Sequence, residues 1–162
     1  MTDNSETLVY IAGPLSPTAK QLAEAEERAA RYGITLDNIL WSGDAIHSNI
    51  ERAAVLALRV AESGYMPVCP HTNTGNDPRF WALQDAAFWH RGTLALMRAC
   101  HAIALVEDWA DSNGACREVI DAHSRLYTPD QIDLWRDGEI LSPRLLPVEE
   151  ARAALAARGV GL

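Results

Sequence analysis

Long apolar stretches are missing from this chain. No run approaches the roughly 18–20 residues of a membrane span, so no membrane partner is expected. Cysteine is scarce: Cys69, Cys100 and Cys116 are widely spaced and odd in number. They form no CxxC pair, which supports neither a zinc ribbon nor a disulfide framework. Reduced thiols in a cytoplasm are the plainest reading. Clusters of Lys and Arg are absent too, and 14 basic against 22 acidic residues leave a net charge of −8. Duplex binding relies on basic surface that displaces counterions, so a nucleic-acid polymer is not an expected partner. A free nucleoside or nucleotide needs only a few local donors and stays open. The opening residues Met1 to Glu6 lack the basic start and apolar stretch of a signal peptide, which again points to the cytoplasm. There are no internal repeats and no low-complexity tract.

What is present is an ordinary soluble balance, 162 residues of which 48% are hydrophobic. That is enough for one compact domain, 1–162, and too little for two. Leu8–Ala12 is a short apolar run ended by Gly13-Pro14 and reads as a buried first strand. Lys20–Tyr32 reads as a helix closed by Gly33. Trp41–Asp44 looks like a loop. Ser48 and Glu51 fit a capping box, predicting a helix to about Ser63 with Ile50, Ala54, Leu58 and Ala61 as its apolar face. Tyr65–Cys69 is a second strand, in which Pro67 is tolerable only where no ladder bond is needed. Pro70–Asp77 is a polar loop. Pro78 opens a helix carrying Phe80, Trp81, Phe88 and Trp89, which Gly92 breaks or bends. Ala102–Val106 is the clearest strand. Ser112 caps a helix to about Leu126, with Ala115, Val119, Ala122 and Leu126 facing the core. Gln131–Trp135 is a strand or short helix, and Pro147–Arg158 a terminal helix closed by Gly159.

Strand–helix–strand alternation implies a parallel sheet. The expected fold is α/β: a three-layer αβα sandwich, Rossmann- or flavodoxin-like, with about four or five strands. Ligands of such sheets bind beyond the carboxyl ends of the strands. Gly13-Pro14, Pro70–Asp77 and Asp108–Ser112 should therefore converge there.

Three segments carry a resemblance. They are Tyr10-Ile11-Ala12-Gly13-Pro14, then Asn49-Ile50-Glu51-Arg52-Ala53 with its continuation to Pro70-His71, and Ser112-Asn113-Gly114-Ala115-Cys116-Arg117-Glu118 with Ala122 one turn later. Together they resemble the nucleoside 2-deoxyribosyltransferase-like superfamily. They are closest to an uncharacterised, phage-associated branch rather than the proven transferases. The match covers roughly residues 8–14 and 48–125 and leaves 15–47 as an insertion.

The resemblance implies a retaining mechanism at the N-glycosidic bond of a nucleoside or nucleotide, with Glu118 as nucleophile. It also implies a homo-oligomer. Tyr10 is normally core in a strand, but the family places this tyrosine near the nucleophile. Asp111 is a candidate second acid, though a loop carboxylate near a helix start is also explained by the macrodipole. Substrate-binding candidates are Gly13, Pro14, His71, Asn73, Asp85, Asp108, Trp109, Ser112 and Gly114. Of these, Ser112 doubles as an N-cap, Trp109 offers a ring to stack on a base, and Gly114 lets a ligand approach the first helical turn. The chain departs from the family pattern where Ser112 replaces an aspartate, where His101 starts the central strand, and where Asp85 is the only counterpart for an orienting aspartate.

His71, His90 and His101 lack metal-ligand spacing, so no metal is expected. No GxGxxG follows the first strand, so neither is a nicotinamide cofactor, and no other cofactor is called for. The rival expectation is a non-catalytic nucleotide-binding or sensing module on the same fold.

Overall fold

The structure is a computed structural model, and it describes residues 4–36, 44–73, 85–125, 134–136, 139–141 and 147–161. Along the chain these form β1 (Asn4–Ala12), α1 (Ala19–Tyr32), α2 (Asp44–Glu62), β2 (Tyr65–Val68), α3 (Ala86–Arg98), β3 (Ala102–Leu105), α4 (Asn113–Arg125), β4 (Leu134–Arg136), β5 (Glu139–Leu141) and α5 (Val148–Ala157). Single 3₁₀ turns stand at Pro70–Thr72 and Trp109–Asp111.

The molecule is a mixed α/β fold on a parallel sheet. Its strand order is β2-β1-β3-β4-β5. β1 pairs in parallel with β2, Tyr10 opposite Val68, and with β3, Tyr10 opposite Ile103. β4 continues in parallel on β3, whereas β5 turns back antiparallel, which simple strand–helix alternation does not anticipate. Pro67 fits because β2 is an edge strand, where one side of the backbone needs no partner.

Strand alternation divides the core. Val9, Ile11, Ala102 and Ala104 pack with Ala53, Leu56 and Val60 of α2. Tyr10, Ala12, Ile103 and Leu105 pack with residues of α3, α4 and α5, among them Met97, Ala115, Val119, Ala122 and Leu155.

α1 ends as expected, with Gly33 in the left-handed region at φ 64°. Its start carries a capping box the sequence reading did not find. Thr18 Oγ1 accepts from the Gln21 amide at 3.3 Å, and Gln21 Oε1 accepts from the Thr18 amide at 2.8 Å. The expected box at Ser48 and Glu51 is not used as a start, because α2 already begins at Asp44. The helix face is also rotated. The buried line runs Asn49, Ala53, Leu56 and Val60, while Leu58 is 60% exposed. Asn49 can occupy that line because its amide is satisfied: Nδ2 donates to the carbonyls of Leu15 and Ser16, and Oδ1 accepts from Gln21 Nε2. α3 runs through Gly92 without a break to Arg98. Gly92 has open space around it, and the helical hydrogen bonds alone carry the turn. The expected features at Trp41–Gly43, at Pro78, Phe80 and Trp81, and at Leu126 lie outside the described residues.

Candidate active site

β1, β2 and β3 run parallel, so their carboxyl ends share one edge of the sheet. Gly13 is required at that edge. A Cβ there would come within 2.7 Å of Val106 Cβ, so only glycine lets the ends of β1 and β3 approach this closely. Beyond β3, Asp108 adopts a left-handed backbone at φ 60°, an unusual conformation for a residue with a side chain. Arg52 of α2 holds this corner. It donates to the Glu107 carbonyl and lies 3.5 Å from the Asp108 carboxylate.

The chain then turns through Trp109–Asp111 into α4. Ser112 accepts the Ala115 amide on its Oγ at 3.3 Å and so caps the helix, as the sequence predicts. At Gly114 an added Cβ would meet only Ser112 Oγ, at an ordinary 3.6 Å. Packing therefore does not demand glycine there, and the first turn of α4 is simply kept open.

Glu118 lies about one turn beyond Gly114 and does not face bulk water; it is 6% exposed. Tyr10 of β1 donates its hydroxyl to Glu118 Oε1 at 2.7 Å. Residues 108 positions apart are thus joined by a buried hydrogen bond between the interior strand β1 and the helix covering it. Burial pushes the Glu118 carboxyl up to about 7, against a smaller opposing pull from the hydroxyls of Tyr10 and Thr93. Burial, then the charge of Glu118 and the hydrogen bond to it, push the Tyr10 hydroxyl far above its ordinary value. Tyr10 is therefore a permanent donor and a poor source of a transferable proton.

Thr93 of α3 is a third member of this cluster that the sequence reading missed. Its hydroxyl lies against both Tyr10 and Glu118, and the His90 carbonyl at 3.1 Å is an alternative acceptor for its single proton. A threonine in mid-helix has no signature that would have singled it out.

His71 is buried in the turn after β2, with Nε2 3.2 Å from the Gly13 carbonyl. Burial lowers its affinity for a proton, against a weaker pull from the carbonyls of Gly13 and Pro14. Pro14 is itself buried. Asn73 is exposed and closes the same turn through its amide to the Pro70 carbonyl.

Other candidates are placed differently from expectation. Trp109 is a core residue, 4% exposed, because the 3₁₀ turn folds its ring onto α4 and α5 rather than presenting it to a base. Asp85 caps α3, its carboxylate accepting the Phe88 amide at 2.7 Å, and stands exposed at that helix start. Asp108 is committed to Arg52. Asp111 is exposed and its charge acts on Cys116. His101 extends the sheet, its ring Nδ1 accepting the Leu8 amide at 3.0 Å.

Among the described residues no group of three His, Cys, Asp or Glu side chains gathers as a metal site, and no helix is long and apolar enough to cross a membrane. No protein-family model matches the chain, and neither a curated protein nor a solved structure does.

Proposed function

We propose that this protein cleaves or transfers at the N-glycosidic bond of a nucleoside or nucleotide, with Glu118 as the nucleophile of a retaining reaction. The observation that carries the reading is a carboxyl held out of water near the start of a helix, beside the carboxyl edge of a parallel sheet, and gripped by a strand tyrosine. Desolvating a carboxylate costs stability, and such costs concentrate where chemistry uses them. The motif resemblance names the same residue. The finer architecture belongs to this proposal: a three-layer αβα sandwich of the Rossmann or flavodoxin kind. So do a cytoplasmic location and a homo-oligomeric state.

In the first step a Glu118 carboxylate oxygen attacks the anomeric carbon. The carbon–nitrogen bond breaks, and the base departs with the electron pair and takes up a proton from water, which the later attack of water at the same carbon gives back. The developing oxocarbenium charge is stabilised by the carboxylate beneath it. Water, or an acceptor base, then attacks the same carbon and frees Glu118. Tyr10 orients the carboxylate and supports its ionised form, and Thr93 assists. The peptide edges at Gly13-Pro14 and Ser112–Gly114, together with His71, border the place the substrate takes.

The expected outcome is that Glu118→Ala lowers base release by at least on the order of 10³-fold while circular dichroism stays native. Undiminished release, followed by chromatography over a nucleoside and nucleotide panel, overturns the assignment.

One observation favours the rival, a nucleotide-sensing module: Asp111, the expected second acid, is exposed, whereas Glu118 is buried and its hydroxyl partner is Tyr10. Thermal shifts with nucleotides followed by long incubation separate the two, since binding without turnover favours the sensor.

A further inference from the structure

At the carboxyl edge one buried polar atom has no hydrogen-bond partner among the described residues. His71 is 6% exposed, and its Nε2 lies 3.2 Å from the Gly13 carbonyl. A carbonyl oxygen can only accept, so Nε2 must carry the proton of this hydrogen bond. The neutral ring then has its other nitrogen, Nδ1, as a bare lone pair. Among the described residues Nδ1 is buried and has no hydrogen-bond partner. Buried acceptors are nearly always satisfied, and one that is not calls for an explanation.

The position supplies it. Gly13 is the first residue past β1 and three residues on from Tyr10, which holds Glu118. The Gly13 backbone cannot shift freely, because it is packed against Val106. Its carbonyl therefore fixes the tautomer of His71 as well as the ring's orientation. Burial also disfavours the doubly protonated ring, so the lone pair persists near neutral pH.

We propose that His71 Nδ1 is a preset hydrogen-bond acceptor of the substrate site, which reads a hydroxyl or amino group of the ligand and rejects a phosphate at that point. A phosphate dianion has no proton to offer and would face a lone pair. A sugar hydroxyl or the exocyclic amine of a base supplies the missing donor. The proposal rests on the N-glycoside reading for the class of ligand and adds to it the polarity of one contact.

The test is nuclear magnetic resonance of protein labelled with ¹⁵N in its histidine rings. The free protein should show His71 with Nε2 protonated and Nδ1 bare; a protonated Nδ1 overturns the proposal. The probes are the four common 2′-deoxynucleosides, 2′-deoxynebularine and 2′-deoxyadenosine 5′-monophosphate. The expected result is that at least one nucleoside moves the Nδ1 resonance toward the hydrogen-bonded position while Nε2 stays protonated. Movement by 2′-deoxyadenosine but not 2′-deoxynebularine, which lacks only the 6-amino group, assigns the donor to the base. Movement by both assigns it to the sugar. Conversion of His71 to imidazolium by the monophosphate, or an unmoved Nδ1 across the whole panel, overturns the proposal. In calorimetry His71→Phe should weaken the responding nucleoside by about tenfold or more, and unchanged affinity also overturns it. Base release with an unmoved Nδ1 sinks this inference and leaves the glycosidic reading standing. A moved Nδ1 without base release does the reverse.

Discussion

Glu118 ties chemistry to stability through a single proton. Its carboxyl titrates at about 7 in the fold against 4.5 for a free side chain. Below about pH 4.5 it is neutral whether the chain is folded or not. As pH rises from there, only the unfolded chain ionises, so the fold loses stability until the buried group ionises too, near 7, and the deficit then stays constant. The shift corresponds to as much as ~3 kcal/mol. Glu118→Gln keeps the shape and removes the charge. Urea denaturation should find the variant equal to the parent near pH 4 and more stable by up to that amount at pH 8. Activity runs the other way: the nucleophile must be ionised, so kcat/KM should climb through an acid limb near pH 7. Tyr10→Phe removes a donor that favours the carboxylate, and the pH–rate profile should show that limb displaced to higher pH.

At the scale of an element, α4 shows why some features were legible and others were not. Its stripe of Ala115, Val119 and Ala122 stands out against polar neighbours, and Ser112 announces its start. In α2 the run Ala53–Leu58 is apolar all round, so periodicity alone does not fix which side faces inward. The buried line there includes Asn49, whose partners sit in the distant loop after β1. No local rule could supply them. Asp85 likewise reads as mid-helix until a helix is seen to start after it, and Thr93 acquires its role only when α3 meets β1 and α4. Gly114 makes a prediction at this scale. Gly114→Ala should be neutral or stabilising by roughly 1 kcal/mol in thermal melts, since the space is free. The same variant should raise KM, because a methyl group then occupies the open first turn.

Across the whole molecule, the approach of β1 to β3 sets the distance between their loops, and Gly13 against Val106 sets that approach. Gly13→Ala should cost about 1–3 kcal/mol in urea denaturation, with Val106→Ala in the same chain recovering part of the loss. The inner parts of the strands were readable, since Val9–Ala12 and Ala102–Leu105 are short continuous apolar runs covered on both sides, whereas the polar start of β1 at Asn4 was not. The convergence of the loops after β1, β2 and β3 followed from parallel order alone. What stayed hidden is how each loop folds on itself. The turn that puts Trp109 inside and leaves Asp111 exposed depends on one left-handed residue, Asp108, and on an arginine 56 positions earlier in the chain. The family departures at Ser112 and His101 were visible as letters, but their structural duties, a helix cap and a sheet extension, appear only in three dimensions.

Among the described residues β2 ends the sheet on one side, and an edge strand invites a foreign strand to zip on. Pro67 sits within that four-residue strand, opposite Val9. An edge proline turns its nitrogen, which has no hydrogen, away from the sheet, so an incoming strand meets a gap where it needs a donor. Pro67→Val restores that donor, and the expected outcome is faster fibrillar self-association in a dye-binding assay.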